Sequence, residues 1–194
     1  MNFAYQAPFK FFKVEDLFIQ TIQRGSRFTN NFISSILPEK INNFGLSIQT
    51  FAGLNDSLYF KEIIRISHKI LKSVVIFGFK ITPAKLRRFF SSFSHVEDIR
   101  LSYCELLIAD APDFSELLVN TQIQKLTLIR VDFYDLSGSE DNPEGFATLI
   151  KGLASSSHFK LNLQELRIHL DDFTQDEIIM IIGENGFDKA ILKE

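Results

Sequence analysis

Four histidines and one cysteine are the residues of this sequence best suited to metal binding or nucleophilic catalysis: His68, His95, His158, His169 and Cys104. None of the histidines lies at metal-ligand spacing with another histidine or with the cysteine. A single cysteine also rules out a disulfide within the chain and a cysteine-rich zinc site. We therefore expect no metal and no cofactor, and interpret each histidine as an ordinary polar residue.

Two adjacent carboxylates, Asp171 and Asp172, resemble a paired acid–base site only superficially, because neighbours on a strand point to opposite faces. The sequence contains no glycine-rich phosphate loop, no serine nucleophile elbow and no zinc signature. These patterns predict a protein that is not an enzyme.

The composition indicates a folded chain of ordinary balance, with 45% hydrophobic and 23% charged residues among 194. It contains 21 Phe and no Trp, which predicts that phenylalanine fills much of the core. A net charge of −3 argues against nucleic acid as a partner. No apolar run approaches the roughly 18 residues of a membrane span, and the opening residues do not resemble a secretory signal. We expect a cytoplasmic protein.

An apolar pattern recurs along the chain and specifies the elements that would position any functional residue. Its clearest copy has Ile123, Leu126, Leu128, Val131 and Phe133 at offsets 0, 3, 5, 8 and 10. Good and weaker copies of this pattern begin at residues 14, 41, 71, 96, 123, 163 and 187. Offsets 3 and 5 are two apart, so they place two side chains on one face of a short strand.

This spacing resembles the leucine-rich-repeat family, and its period is similar to that of the ribonuclease-inhibitor-like subclass. The resemblance implies an α/β solenoid in a horseshoe arc, with a parallel concave sheet and convex helices. We expect an N-terminal cap over residues 1–13 and about six repeats plus a partial seventh over 14–194. The family's usual Asn at offset 8 is mostly missing here, with Cys104 and Asp171 at two of the positions, which predicts irregular turns.

Helix start signals lie between the predicted strands. Thr82-Pro83 and Thr174 to Glu177 are typical of helix N-termini, and Pro112 and Pro143 predict two further helices. Residues 135–144 are polar and acidic, which predicts an exposed loop insertion. That loop is either a docking or cation-binding element or a tolerated insertion without a function.

The resemblance also implies that offsets 2, 4 and 6 face outward on the concave side. Apolar side chains among mixed charge are typical of a protein interface. The candidate partner-binding residues are Val75, Phe77, Asp98, Arg100, Lys125, Ile129, Glu165, Arg167 and His169. We expect a non-enzymatic scaffold that binds a protein partner. Two alternatives stay open: a regulatory adaptor or GTPase-activating-type module of a longer protein, and a structural subunit of a large assembly.

Overall fold

The computed structural model describes residues 15–22, 37, 39–49, 57–138 and 140–193. The predicted N-terminal cap over residues 1–13 lies outside the described residues. Within them the fold is mixed α/β, with one large parallel sheet, a small second sheet, and helices whose buried residues form one core with the inward residues of the large sheet.

The large sheet has seven described strands, and every neighbouring pair is parallel. Its strands follow one another in the sheet in the order in which they occur in the chain. They are β1 (Asp16–Ile22), β2 (Ile41–Gln49), β3 (Ile70–Phe77), β5 (Asp98–Ser102), β7 (Lys125–Ile129), β9 (Glu165–His169) and β10 (Leu192–Lys193). Parallel neighbours need crossover connections, and the intervening segments supply them.

The repeat predicts which residues pair across this sheet. Val74, Ile99, Leu126 and Leu166 occupy offset 3 of four successive copies and are register partners from strand to strand. All four are buried. The residues at offset 5 of the same copies are buried as well, namely Ile76, Leu101, Leu128 and Ile168. The predicted strand positions and their inward face are thus confirmed for these copies.

Five described helices lie between the strands: α1 (Ser57–Ile66), α2 (Pro83–Ser92), α3 (Gly145–Ala154), α4 (Ser157–Asn162) and α5 (Gln175–Glu184). Two predicted N-termini are confirmed. The Thr82 hydroxyl accepts from the Lys85 amide, and Thr174 forms a capping box with Glu177.

Two details of the helix prediction are wrong. The segment after Pro112 forms turns instead of a helix, and it uses Phe114 and Leu118 to fill the core. The stretch around His158, whose serine-rich composition predicts a loop, forms the short helix α4, whose first turn is capped by the Ser156 hydroxyl. In both places tertiary packing and a local cap outweighed the proline and serine composition.

A second sheet was not expected from the repeat. Its strands β4 (Lys80–Ile81), β6 (Glu105–Leu107) and β8 (Asp132–Tyr134) are parallel and follow the turns that end β3, β5 and β7. They are only two or three residues long, too short for a two-residue alternation to be visible in the sequence.

The turns after β3, β5 and β7 are alike, although irregular turns were expected. Gly78, Tyr103 and Arg130 occupy the same repeat position, and all have positive φ, at 79°, 52° and 46°. Their backbone amides donate to the carbonyls of Ser102, Ile129 and His169 on the next strand, at 2.7–3.1 Å. The same backbone hydrogen bond to the next strand therefore holds each of the three turns.

The last two copies depart from the predicted register. Asp171 lies in a turn, as predicted, but it is exposed and lies 3.6 Å from Arg130, whereas Leu170 before it is buried. In the partial copy at the C-terminal end, a 3-10 turn over Lys189–Ile191 precedes β10, so that Leu192 pairs with Leu166 two residues later than expected.

Phenylalanine fills the core between the large sheet and the helices, as predicted. Phe60, Phe89, Phe90, Phe159 and Phe187 form a continuous series of ring contacts, with centroids 6.0–6.5 Å apart. Most of these contacts are edge-on, an arrangement that aromatic quadrupoles favour. This series ties α1 to the residues after α5, so the core is continuous through the described part of the chain.

Candidate functional site

The face of the large sheet opposite the helices, hereafter the sheet face, carries the predicted binding residues. Parallel register arranges its side chains in three rows that cross the strands. The first row contains Asp16, Asn43, Ser73, Asp98, Lys125 and Glu165. The middle row contains Phe18, Gly45, Val75, Arg100, Thr127, Arg167 and Lys193. The third contains Gln20, Ser47, Phe77, Ser102, Ile129 and His169. All nine predicted residues are thus brought onto one surface.

Exposure on the sheet face is lower than expected. Val75, Phe77 and Ile129, expected to be exposed, are each half-buried. Ser102 and Thr127 are almost completely buried although they point outward. Neighbouring strands lie about 4.8 Å apart, so long side chains cover the short ones beside them. Lys125, Arg167 and His169 are exposed as predicted.

Side chains of the first row bond to one another across the strands. The Asn43 amide donates to Asp16 and accepts from the Ser73 hydroxyl at 2.7 Å. At the other end, Glu165 accepts from Arg167 Nε at 2.6 Å, and Lys125 Nζ lies 3.2 Å from it. Most polar groups of this row are therefore satisfied within the protein.

Asp98 of the first row and Arg100 of the middle row, in the centre of the sheet face, each have a polar atom that is not satisfied in this way. Asp98 Oδ1 and Arg100 Nε are inaccessible to solvent and have no hydrogen-bond partner within the described residues. Neither residue forms an ion pair with another described residue. Buried polar atoms without a partner cost free energy and are rare in folded proteins.

The middle row also contains an exposed aromatic side chain. Phe18 is 58% exposed, and its ring lies next to Gly45, where a Cβ atom would clash with it. The absence of a side chain at Gly45 thus leaves space for the ring. With Val75 and Phe77, Phe18 forms an apolar group on the part of the sheet face over β1 to β3, among polar side chains, whereas most charged residues of the face lie over β5 to β10.

A chain of side-chain contacts follows the edge at which the strands end. The Phe77 and Tyr103 rings stack with centroids 4.6 Å apart. The Arg130 guanidinium lies 5.5 Å from the Tyr103 ring and bonds its hydroxyl at 3.1 Å. Arg130 Nε in turn lies 3.6 Å from Asp171. Such cation–π contacts contribute roughly 0.5–1 kcal/mol at exposed sites.

Sequence reasoning missed Tyr103 and Arg130 as parts of this surface. They lie one residue beyond the third row, at the turn position with positive φ. Their conformation turns them back toward the sheet face, where Tyr103 reaches Phe77. The only sequence signal was their shared offset with Gly78, a residue type that favours such turns.

The acidic insertion forms a compact loop rather than an extended one. Asp135 accepts from the Ser137 hydroxyl and from the amides of Gly138 and Glu140. Tyr134 and Asp141 form an antiparallel bridge that closes the loop. These bonds favour a structural role for Asp135 over cation binding.

Beside this loop lies an acidic cleft of about 520 Å³, which includes Asp132, Asp141 and Asp172 among its lining residues. Partial burial, together with the carboxylates of Asp172 and Glu105, raises the pKa of Asp132. Within the described residues no group of three His, Cys, Asp or Glu is arranged to hold a metal ion.

Burial also raises the pKa of Asp98, against the attraction of Arg100 and Lys125. A carboxyl group whose pKa is higher in the folded than in the unfolded chain destabilises the fold when it is charged. That cost is present above the folded pKa, decreases as the pH falls through it, and disappears below the unfolded pKa.

Asp98→Asn is therefore expected to raise the thermal midpoint at neutral pH, because the amide has no charge to desolvate. The gain should shrink on acidification and vanish near about pH 4, close to the usual Asp range. Calorimetric scans of both proteins from acid to neutral pH measure this difference. A variant that is less stable than wild type at neutral pH would show that Asp98 gains more from the nearby cations than it loses by burial.

Comparison of the chain with protein-family models, with curated proteins and with solved structures finds no match. Among the described helices, none combines the length and the apolar character needed to cross a membrane.

Proposed function

We propose that this chain is a leucine-rich-repeat-type solenoid that binds a protein partner on its sheet face and has no catalytic activity. The observation that carries the proposal is the open sheet face itself. Buried residues of the described helices join the inward residues of the sheet in one core. Among the described elements, none lies over the outward residues of six strands in a row.

The anatomy of the face supports a protein partner. Apolar side chains of Phe18, Val75, Phe77 and Ile129 lie among charged residues, the combination of apolar anchors and polar surroundings found at interfaces. Tyr103 adds an aromatic side chain that is 45% exposed and packs against the Phe77 ring. Tyrosine and arginine are the residue types enriched in interface hot spots.

Regular strand order supports the solenoid. Each successive copy of the repeat adds one strand to the same edge of the sheet, and equivalent turns follow β3, β5 and β7. A stack of this kind buries its apolar face only through its neighbours. The cytoplasmic location expected from the sequence stays a prediction.

Affinity capture tests the proposal with the double variant Phe77→Asp plus Arg100→Glu. We expect the variant to remain folded by circular dichroism and to lose the partners that wild type retains, because both side chains belong to the sheet face. The matched control is Arg87→Glu plus Met180→Asp, two exposed residues on helices α2 and α5, which should keep those partners. If the sheet-face variant keeps every partner, the proposed function is wrong.

A further inference from the structure

The charged part of the sheet face has a local excess of positive charge in a chain whose net charge is −3. Outward positions of β5, β7, β9 and β10 carry two carboxylates, Asp98 and Glu165. They carry four cationic side chains, namely Arg100, Lys125, Arg167 and Lys193. This part of the face therefore complements a negatively charged partner.

The cations differ in how far they are already neutralised. Lys125 and Arg167 both pair with Glu165, at 3.2 and 2.6 Å. Arg100 has no ion pair or hydrogen bond within the described residues, and its Nε is inaccessible to solvent. A half-buried guanidinium without an acceptor is the group on this face that gains most from an added carboxylate.

The place of Arg100 suits recognition of a planar anion. It lies in the middle row between Val75 and Thr127, next to the third row that contains Phe77 and Ile129. A guanidinium can donate two parallel hydrogen bonds to one carboxylate, and nearby apolar side chains lower the local dielectric constant. Such a bond is stronger there than at an open surface.

Asp98 lies beside Arg100 on the sheet face, two residues earlier on β5. Its Oδ1, like Arg100 Nε, is inaccessible to solvent. A carboxylate of a partner would therefore contact the part of the half-buried Arg100 side chain that remains exposed.

We propose that the sheet face binds an acidic peptide segment of its protein partner, with an Asp or Glu side chain of that segment paired to Arg100. The proposal rests on the proposed function and adds the chemistry of the partner. The apolar side chains of Phe18, Val75 and Phe77 would contact apolar residues next to the acidic one.

A nucleic acid fits the same face less well. Affinity for a phosphate backbone depends on several unneutralised Lys or Arg side chains. Here Glu165 already pairs with two of the four cations. A single oriented carboxylate matches Arg100, which has no partner among the described residues, better than a run of phosphates does.

The test selects phage-displayed random 12-residue peptides on the full chain and then measures synthetic, fluorescein-labelled copies by anisotropy. We expect the selected peptides to be enriched in Asp or Glu next to apolar residues. Arg100→Gln should weaken their binding at least about tenfold, equivalent to about 1.4 kcal/mol. The control Arg87→Gln, on the helix side, should leave affinity unchanged.

A change on the peptide side keeps the test independent of protein folding. Replacing the acidic residue of the peptide by Gln should weaken binding to wild type but add little to the effect of Arg100→Gln, because the two changes remove one interaction. Additive effects would overturn the pairing with Arg100.

Other outcomes separate the two proposals. Peptides that depend on Phe77 but are neutral or basic would overturn the acidic-partner proposal and leave the proposed function standing. Peptides insensitive to Phe77→Asp and to Arg100→Gln would contradict both. A 20-nucleotide oligothymidylate that binds wild type more tightly than the acidic peptides, and loses affinity with Arg100→Gln, would overturn the choice of a protein segment.

Discussion

Leu128→Asp is expected to unfold the chain. Leu128 is fully buried on the inner face of β7, between its register partners Leu101 and Ile168. A carboxylate there would have no partner. The free-energy cost of burying an isolated charge exceeds the net stability of a typical domain, which is about 5–15 kcal/mol. Far-UV circular dichroism should show loss of the native spectrum at neutral pH.

A milder change at the same position measures the packing. Leu128→Ala should remain folded and lower the free energy of unfolding by about 2–5 kcal/mol. The matched control is Ile129→Asp, one residue further along β7 and on the sheet face, which should cost only about 1 kcal/mol. Native stability in Leu128→Asp, or unfolding in Ile129→Asp, would show that the register assigned to β7 is wrong.

Phe90→Ala is expected to have the second-largest effect. Phe90 projects from α2 and is fully buried, with ring contacts to Phe89, Phe114 and Phe159 at 6.0, 5.2 and 6.5 Å. Alanine would leave a cavity at the point where the helices and the turns after Pro112 meet. Loss of a core Phe typically costs about 3–5 kcal/mol.

Urea denaturation followed by fluorescence of the tyrosines measures this loss. Phe90→Leu should cost less, since it removes fewer atoms, and Arg87→Ala on the exposed side of α2 should stay within about 0.5 kcal/mol of wild type. Equal stability of Phe90→Ala and wild type would contradict a continuous aromatic core through this helix.

Two different patterns in the sequence predict the burial of Leu128 and of Phe90. The position of Leu128 follows from the repeat, because its strand alternates buried and outward residues. Phe90 belongs to a helix whose N-terminus is predicted by Thr82 and Pro83 and whose apolar residues lie at helical spacing. Local patterns of this kind are visible because they depend only on which face of an element must be buried.

Other parts of the fold depend on contacts between segments distant in sequence. Nothing near Pro112 indicates that Phe114 packs on Phe90, so a helix was predicted where the chain forms turns. Likewise, β6 and β8 exist because the equivalent turns at Tyr103 and Arg130 place the following residues side by side. A strand of three residues has no periodicity of its own to reveal it.

The sequence by itself determined the inward face of the parallel strands, two helix N-termini and the set of residues that share the sheet face. Those follow from apolar periodicity and capping chemistry. Only the tertiary structure decided that Asp98 and Arg100 have no ion pair with another described residue while Glu165 pairs with two cations, and that Tyr103 and Arg130 join the face. Pairing is decided by which strands become neighbours and by how much solvent their side chains exclude, and both arise only when the chain is assembled.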